Sequence, residues 1–124
     1  MRLFGLIPTP PPLRPKSNVY DLKARLDWGE PALTIIDVRD RPEFNAAHIE
    51  GAVSIPAGEL VDTALIYLEL ERDLYVYGYT DEETAIAAAQ LRAAGFLNVS
   101  ELRGGMPAWK AVGFPVETAR AIAA

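Results

Sequence analysis

The chain has no cysteine in its 124 residues, which removes more chemistry than any motif it contains adds. Without a thiol there is no disulfide frame, no thiolate nucleophile and no thiolate metal ligand, a composition compatible with a reducing cytosol. His48 is the single histidine, and one imidazole without a thiolate cannot complete a tetrahedral zinc site. No metal and no cofactor is therefore expected. Long apolar runs are missing too: nothing approaches the roughly 18 residues that cross a bilayer. The patch Leu3-Phe4-Gly5-Leu6-Ile7 is too brief for the apolar region of a secretory leader. These absences predict a soluble cytoplasmic protein with no membrane partner. The net charge is -5 and no cluster of Lys or Arg occurs, so the electrostatic footprint of nucleic-acid binding is absent as well.

What is present is enough for one folded domain. Half of the residues are hydrophobic, sufficient at this length to bury a core without covalent staples. Residues 1 to 16 differ in composition, because five of the ten prolines lie between Pro8 and Pro15. Such a run favours extended polyproline II and lacks the donors a sheet requires, so it reads as an exposed tail. Residues 117 to 124 read as a second tail, able to extend as a short helix.

Between the tails, short apolar strands alternate with helical stretches, the signature of a parallel sheet covered on both faces. Asn18 with Asp21 three residues later predicts a capped helix over about residues 19 to 28, ended by Gly29. Residues 33 to 38 form a β-branched run suited to a strand buried on both sides. Asp40 and Pro42 then open a short helix. Strands follow at 52 to 55, 74 to 77 and 99 to 102. Helices are predicted at 60 to 70, 84 to 94 and 106 to 112.

Three groups of residues recur in a familiar order. The first is Ile35-Ile36-Asp37-Val38-Arg39-Asp40 with Glu43-Phe44, His48-Ile49-Glu50-Gly51-Ala52 and Ile55-Pro56. The second is the strand at 74 to 77 with a six-residue turn and an alanine-rich helix ending Ala94-Gly95-Phe96, then Asn98-Val99. The third is Leu102-Arg103-Gly104-Gly105-Met106-Pro107-Ala108-Trp109-Lys110 with Gly113-Phe114-Pro115-Val116. Together they resemble a single rhodanese homology domain over about residues 17 to 116. The resemblance implies a three-layer α/β fold with a central parallel sheet of about five strands and helices on both faces.

It also implies a site, in the loop Gly78-Tyr79-Thr80-Asp81-Glu82-Glu83. In active members of the family this loop cradles an anionic sulfur or phosphate group, and a cysteine at the helix N-terminus carries sulfur as a persulfide. Here Gly78 stands in the cysteine's place, and Glu83 stands where an arginine often closes the loop. Thr80 and Thr84 offer hydroxyls, which cannot form a persulfide. Asp81, Glu82 and Glu83 are expected to rim the loop with negative charge that repels anionic donors. No catalytic residue is assigned; the candidates for ligand or partner contacts are Asp37, Arg39, Tyr79 and Arg103. In the family the Asp37 and Arg39 positions are largely scaffolding, and the His48 ring is structural. The expectation is a catalytically inactive binding or regulatory module with a basic or amphipathic protein partner. A rhodanese-type sulfurtransferase and a small-ligand carrier are the alternatives.

Overall fold

The computed structural model describes residues 13–29 and 32–118. The chain order is β1 (Lys16–Ser17), α1 (Val19–Asp27), β2 (Leu33–Asp37), α2 (Arg41–Ala46), β3 (His48–Ile49), β4 (Val53–Ser54), α3 (Leu60–Tyr67), β5 (Asp73–Tyr77), α4 (Asp81–Ala93), β6 (Asn98–Leu102), α5 (Gly105–Ala111) and β7 (Val116–Glu117). Five strands make one parallel sheet in the order β1-β6-β5-β2-β4, and β3 pairs antiparallel with β7 beside it. Among the described residues no helix is long and apolar enough to cross a membrane.

Period-two alternation along the strands divides the core into two layers. Ile36, Leu74, Val76 and Val99 meet Leu60 and Ala64 of α3 and Ala87, Ala88 and Leu91 of α4. Ile35, Tyr75, Tyr77 and Leu102 face the other way, onto Val19 and Leu22 of α1 and Met106 and Trp109 of α5. Small alanines of α4 pack against the sheet on one face, and the fully buried Trp109 fills space on the other.

Several boundaries differ from the sequence reading. Helix α4 begins at Asp81, three residues early, because the Thr80 hydroxyl accepts from the Glu83 N–H at 3.1 Å and caps it. Helix α3 stops at Tyr67 rather than 70. Asp40 sits at the N-cap of α2 without a side-chain cap; its carboxylate accepts from the Tyr79 hydroxyl at 3.2 Å instead.

Both expected tails reach into the fold. Lys16 forms β1 with Ser17, and the Glu101 N–H donates to the Pro15 carbonyl at 2.8 Å. A proline has lost its N–H but keeps its carbonyl, so it can close the edge of a sheet as an acceptor. At the other end Glu117 belongs to β7, not to a helix, and its carboxylate meets the His48 ring at 3.2 Å. The polyproline II expectation for residues 1 to 12 and the helical one for 119 to 124 lie outside the described residues.

Candidate functional site

In a parallel sheet the carboxyl ends of all strands point the same way, and the loops leaving them converge. Here the loops after β2, β5 and β6 bring together Arg39, Gly78, Tyr79 and the start of α5. They enclose a cleft of about 510 Å³ lined by Arg39, Gly78, Tyr79, Met106, Pro107, Lys110 and Ala111.

Gly78 is buried at the end of β5, and its N–H donates to the Thr84 hydroxyl at 2.8 Å. That hydroxyl donates in turn to the Thr80 carbonyl at 2.9 Å. Both Thr84 functions are thus used in shaping the loop. The space beside Gly78 is not empty: a Cβ there would lie 3.1 Å from Val38 Cγ2 and 3.7 Å from Glu83 Cβ. Glycine is accommodated without positive φ, and a larger residue would need Val38 to yield by a few tenths of an ångström.

Beneath the cleft lies a charged knot. Arg39 Nε and Nη2 donate to the Asp37 carboxylate at 3.0 and 2.7 Å, and Nη2 also donates to the Ala47 carbonyl at 2.7 Å. The Arg39 N–H gives Asp37 a further bond at 2.9 Å. Burial works against the Arg39 charge, and the bonds to Asp37 more than offset it, so the guanidinium is held above its ordinary pKa. The Tyr77 hydroxyl accepts from the Ile49 N–H at 3.1 Å. Burial first, and then the neighbouring Asp37 carboxylate, push its phenol well above the usual value. Asp37 is fully buried behind Arg39 and does not line the cleft. Of these two candidates for ligand or partner contacts, only Arg39 reaches the lining.

Of the three carboxylates expected on the rim, Glu82 is exposed, and the other two are engaged by neighbouring groups. Asp81 accepts from the Gly104 N–H at 2.9 Å and pairs with Arg103 at 3.5 Å. Glu83 turns back onto the Thr80 hydroxyl at 3.4 Å. Arg103, a candidate ligand contact, is shared between Asp81 and Glu101 and stands outside the cleft lining. His48 stacks on Phe44 with ring centroids 3.7 Å apart, its Nδ1 lies 2.8 Å from the Phe44 carbonyl, and it does not line the cleft.

Sequence reading missed Met106, Pro107, Lys110 and Ala111. The signal was available, since α5 starts at the carboxyl end of β6, where ligand-facing elements gather.

A family model described as the rhodanese-like domain matches residues 18–112. The chain belongs to the rhodanese-like domain family. Among solved structures, the crystal structure of the Alr3790 protein from Anabaena sp. is 56% identical, with a TM-score of 0.81 over 82% of this chain and 80% of that one. EanB, solved with a cysteine persulfide and ergothioneine, is 29% identical with a TM-score of 0.72, over 83% of this chain and 28% of its own. Among curated relatives, the thiosulfate sulfurtransferase GlpE of Ectopseudomonas mendocina is 35% identical over 69% of this chain and 77% of its own length. The putative sulfur carrier protein YrkF of Bacillus subtilis is 32% identical over 77% of this chain, which spans only half of YrkF. This rhodanese-like domain is therefore related to sulfurtransferases and sulfur carriers, with Gly78 in its β5–α4 loop and no cysteine in its sequence.

Proposed function

We propose that this rhodanese-like domain is catalytically silent and works as a binding or regulatory module. One observation carries the reading: the loop that would present a thiolate at the N-terminus of α4 presents Gly78, and the sequence holds no other thiol. Sulfur transfer of this type needs a nucleophile that forms and then releases a persulfide bond. Neither threonine hydroxyl can do so, and Thr84 is already bonded on both sides.

What remains of the site is a recognition cleft. Tyr79 is partly exposed at its mouth, Met106 and Pro107 give an apolar wall, and Lys110 supplies a cation. With Asp81 and Glu83 engaged by their neighbours, the cleft suits an apolar side chain of a protein partner better than a strongly basic segment. The Tyr79 ring, fixed on Asp40, is the anchor.

The test is transfer of sulfur from thiosulfate to cyanide. Purified protein should form no thiocyanate above background, and turnover at verified purity would overturn the reading. Gly78→Cys should restore little, because Glu83 borders the new side chain and its carboxylate disfavours a thiolate. Adding Glu83→Arg should raise activity beyond the single variant. Equal activity in both would show that Glu83 does not matter.

A further inference from the structure

The end of the sheet opposite Gly78 has a different surface. The loops entering β5 and β6 lie there, because all strands of the sheet run parallel. Helix α3 has one charged residue in eight, so packing one face on the sheet leaves apolar residues outside. Ile66 is 73% exposed and Tyr67 76%, at the last turn of α3. Leu97, just before β6, is 70% exposed, and Leu70 lies between. These are among the most exposed large apolar residues described.

The surface is held in shape. The Leu97 N–H donates to the Leu70 carbonyl at 2.9 Å, and Asn98 Nδ2 donates to the Glu71 carbonyl at 2.7 Å. Arg72 Nη2 donates to the Leu33 carbonyl at 2.9 Å and fixes the same loop to β2. Contact with a partner therefore needs little ordering of this backbone.

Charge identifies the partner. Glu69 and Glu71 are exposed within the loop, and neither carboxylate has an ion-pair partner among the described residues. The nearby cations are committed: Arg25 to Asp73, Arg92 to Glu101 and the Pro15 and Val99 carbonyls, and Arg72 to β2. A second copy would bring like charges together across a twofold axis, and an anionic lipid surface would be repelled. From this arrangement we infer that the surface of Ile66, Tyr67, Leu70 and Leu97 docks an amphipathic protein segment whose apolar stripe is flanked by Lys or Arg. This surface lies apart from the Gly78 cleft, and the inference stands whether or not that cleft is silent.

The test titrates the isotope-labelled chain with a helical Leu/Lys peptide and with its Leu/Glu counterpart, followed by amide NMR. The Leu/Lys peptide should bind and shift resonances of α3 and of residues 68 to 72 and 95 to 98. Ile66→Glu with Leu97→Glu should weaken binding at least about tenfold, and Glu69→Lys with Glu71→Lys about fivefold or more. Ile86→Glu, at another exposed apolar site on α4, should change it less than about twofold and controls for added charge alone. Equal loss from Ile86→Glu, equal binding of the Leu/Glu peptide, or shifts confined to the Gly78 loop would each overturn the inference. So would self-association of the chain that Ile66→Glu with Leu97→Glu abolishes, since the surface would then belong to a second copy.

Discussion

At the carboxyl ends of the strands, Asp37, Asp40, Asp81 and Glu83 are each held by a donor within the domain; at the amino ends, Glu69 and Glu71 face solvent beside Ile66, Tyr67 and Leu97. The first arrangement spends its polar groups on shape. The second leaves both apolar area and charge unspent, which stabilises nothing in the isolated domain and is available to a partner. The hydrogen-bond network at the carboxyl ends fixes the loops whatever chemistry they carry.

Breaking the charged knot should give the largest effect. Arg39→Ala leaves the fully buried Asp37 carboxylate with its main partner removed, an arrangement that typically costs about 3–5 kcal/mol. Urea unfolding should show that loss. A change below about 1 kcal/mol would mean that the knot is not what holds the carboxyl-end loops.

Glycines at the two ends of the sheet should respond differently to alanine. Gly104, at φ 83°, precedes α5, and a Cβ there would sit 2.6 Å from Ala108 Cβ. Gly29, at φ 71° after α1, has nothing within 4 Å. Alanine at Gly29 should cost about 1–2 kcal/mol from the left-handed backbone alone. At Gly104 the same strain is joined by overpacking worth about 1–3 kcal/mol more. Equal melting temperatures for the two variants would show that the α5 turn relaxes freely.

A pH scan sharpens the contrast further. The folded domain keeps the Tyr77 phenol protonated at pH values where an unfolded tyrosine ionises, so the folded state binds more protons there. The sign follows: this stability is fully present below about pH 10, the unfolded value, and falls as pH rises above it, by up to about 1.4 kcal/mol per pH unit. Tyr77→Phe should flatten the alkaline limb of the stability curve. An unchanged limb would assign it to other groups.

How much of this was legible in the sequence depended on whether a signal was local. The capped start of α1 at Asn18 and the β-branched run of β2 are local patterns, and both elements appear where residues predicted them. The loop of Gly78 was legible through its resemblance to a family. The fate of its acids was not, because Asp81 is bound by Arg103 and by the Gly104 N–H, more than twenty residues away and brought near by the parallel pairing of β5 and β6. The edge strand at Lys16 was hidden for a different reason: proline content argues against donors but is silent about acceptors. The exposed apolar end was invisible for the same reason as the rim, since whether Ile66 and Leu97 are buried is decided by how α3 and the loop before β6 pack.

Ile66→Gln and Leu97→Gln remove apolar side chains that are mostly in water already, so each should change stability by no more than about 0.5 kcal/mol. Leu74→Ala is the matched reference: it empties a fully buried site between α4 and the sheet and should cost about 2–5 kcal/mol. Denaturant unfolding of the three variants separates the cases. A loss of 2 kcal/mol or more at Ile66 or Leu97 would mean that these side chains already pack against part of the same chain, since large losses belong to filled sites. If instead both substitutions leave folding intact while weakening peptide binding, the residues serve association and not the core. That outcome would separate the two ends of the sheet by what their side chains act upon.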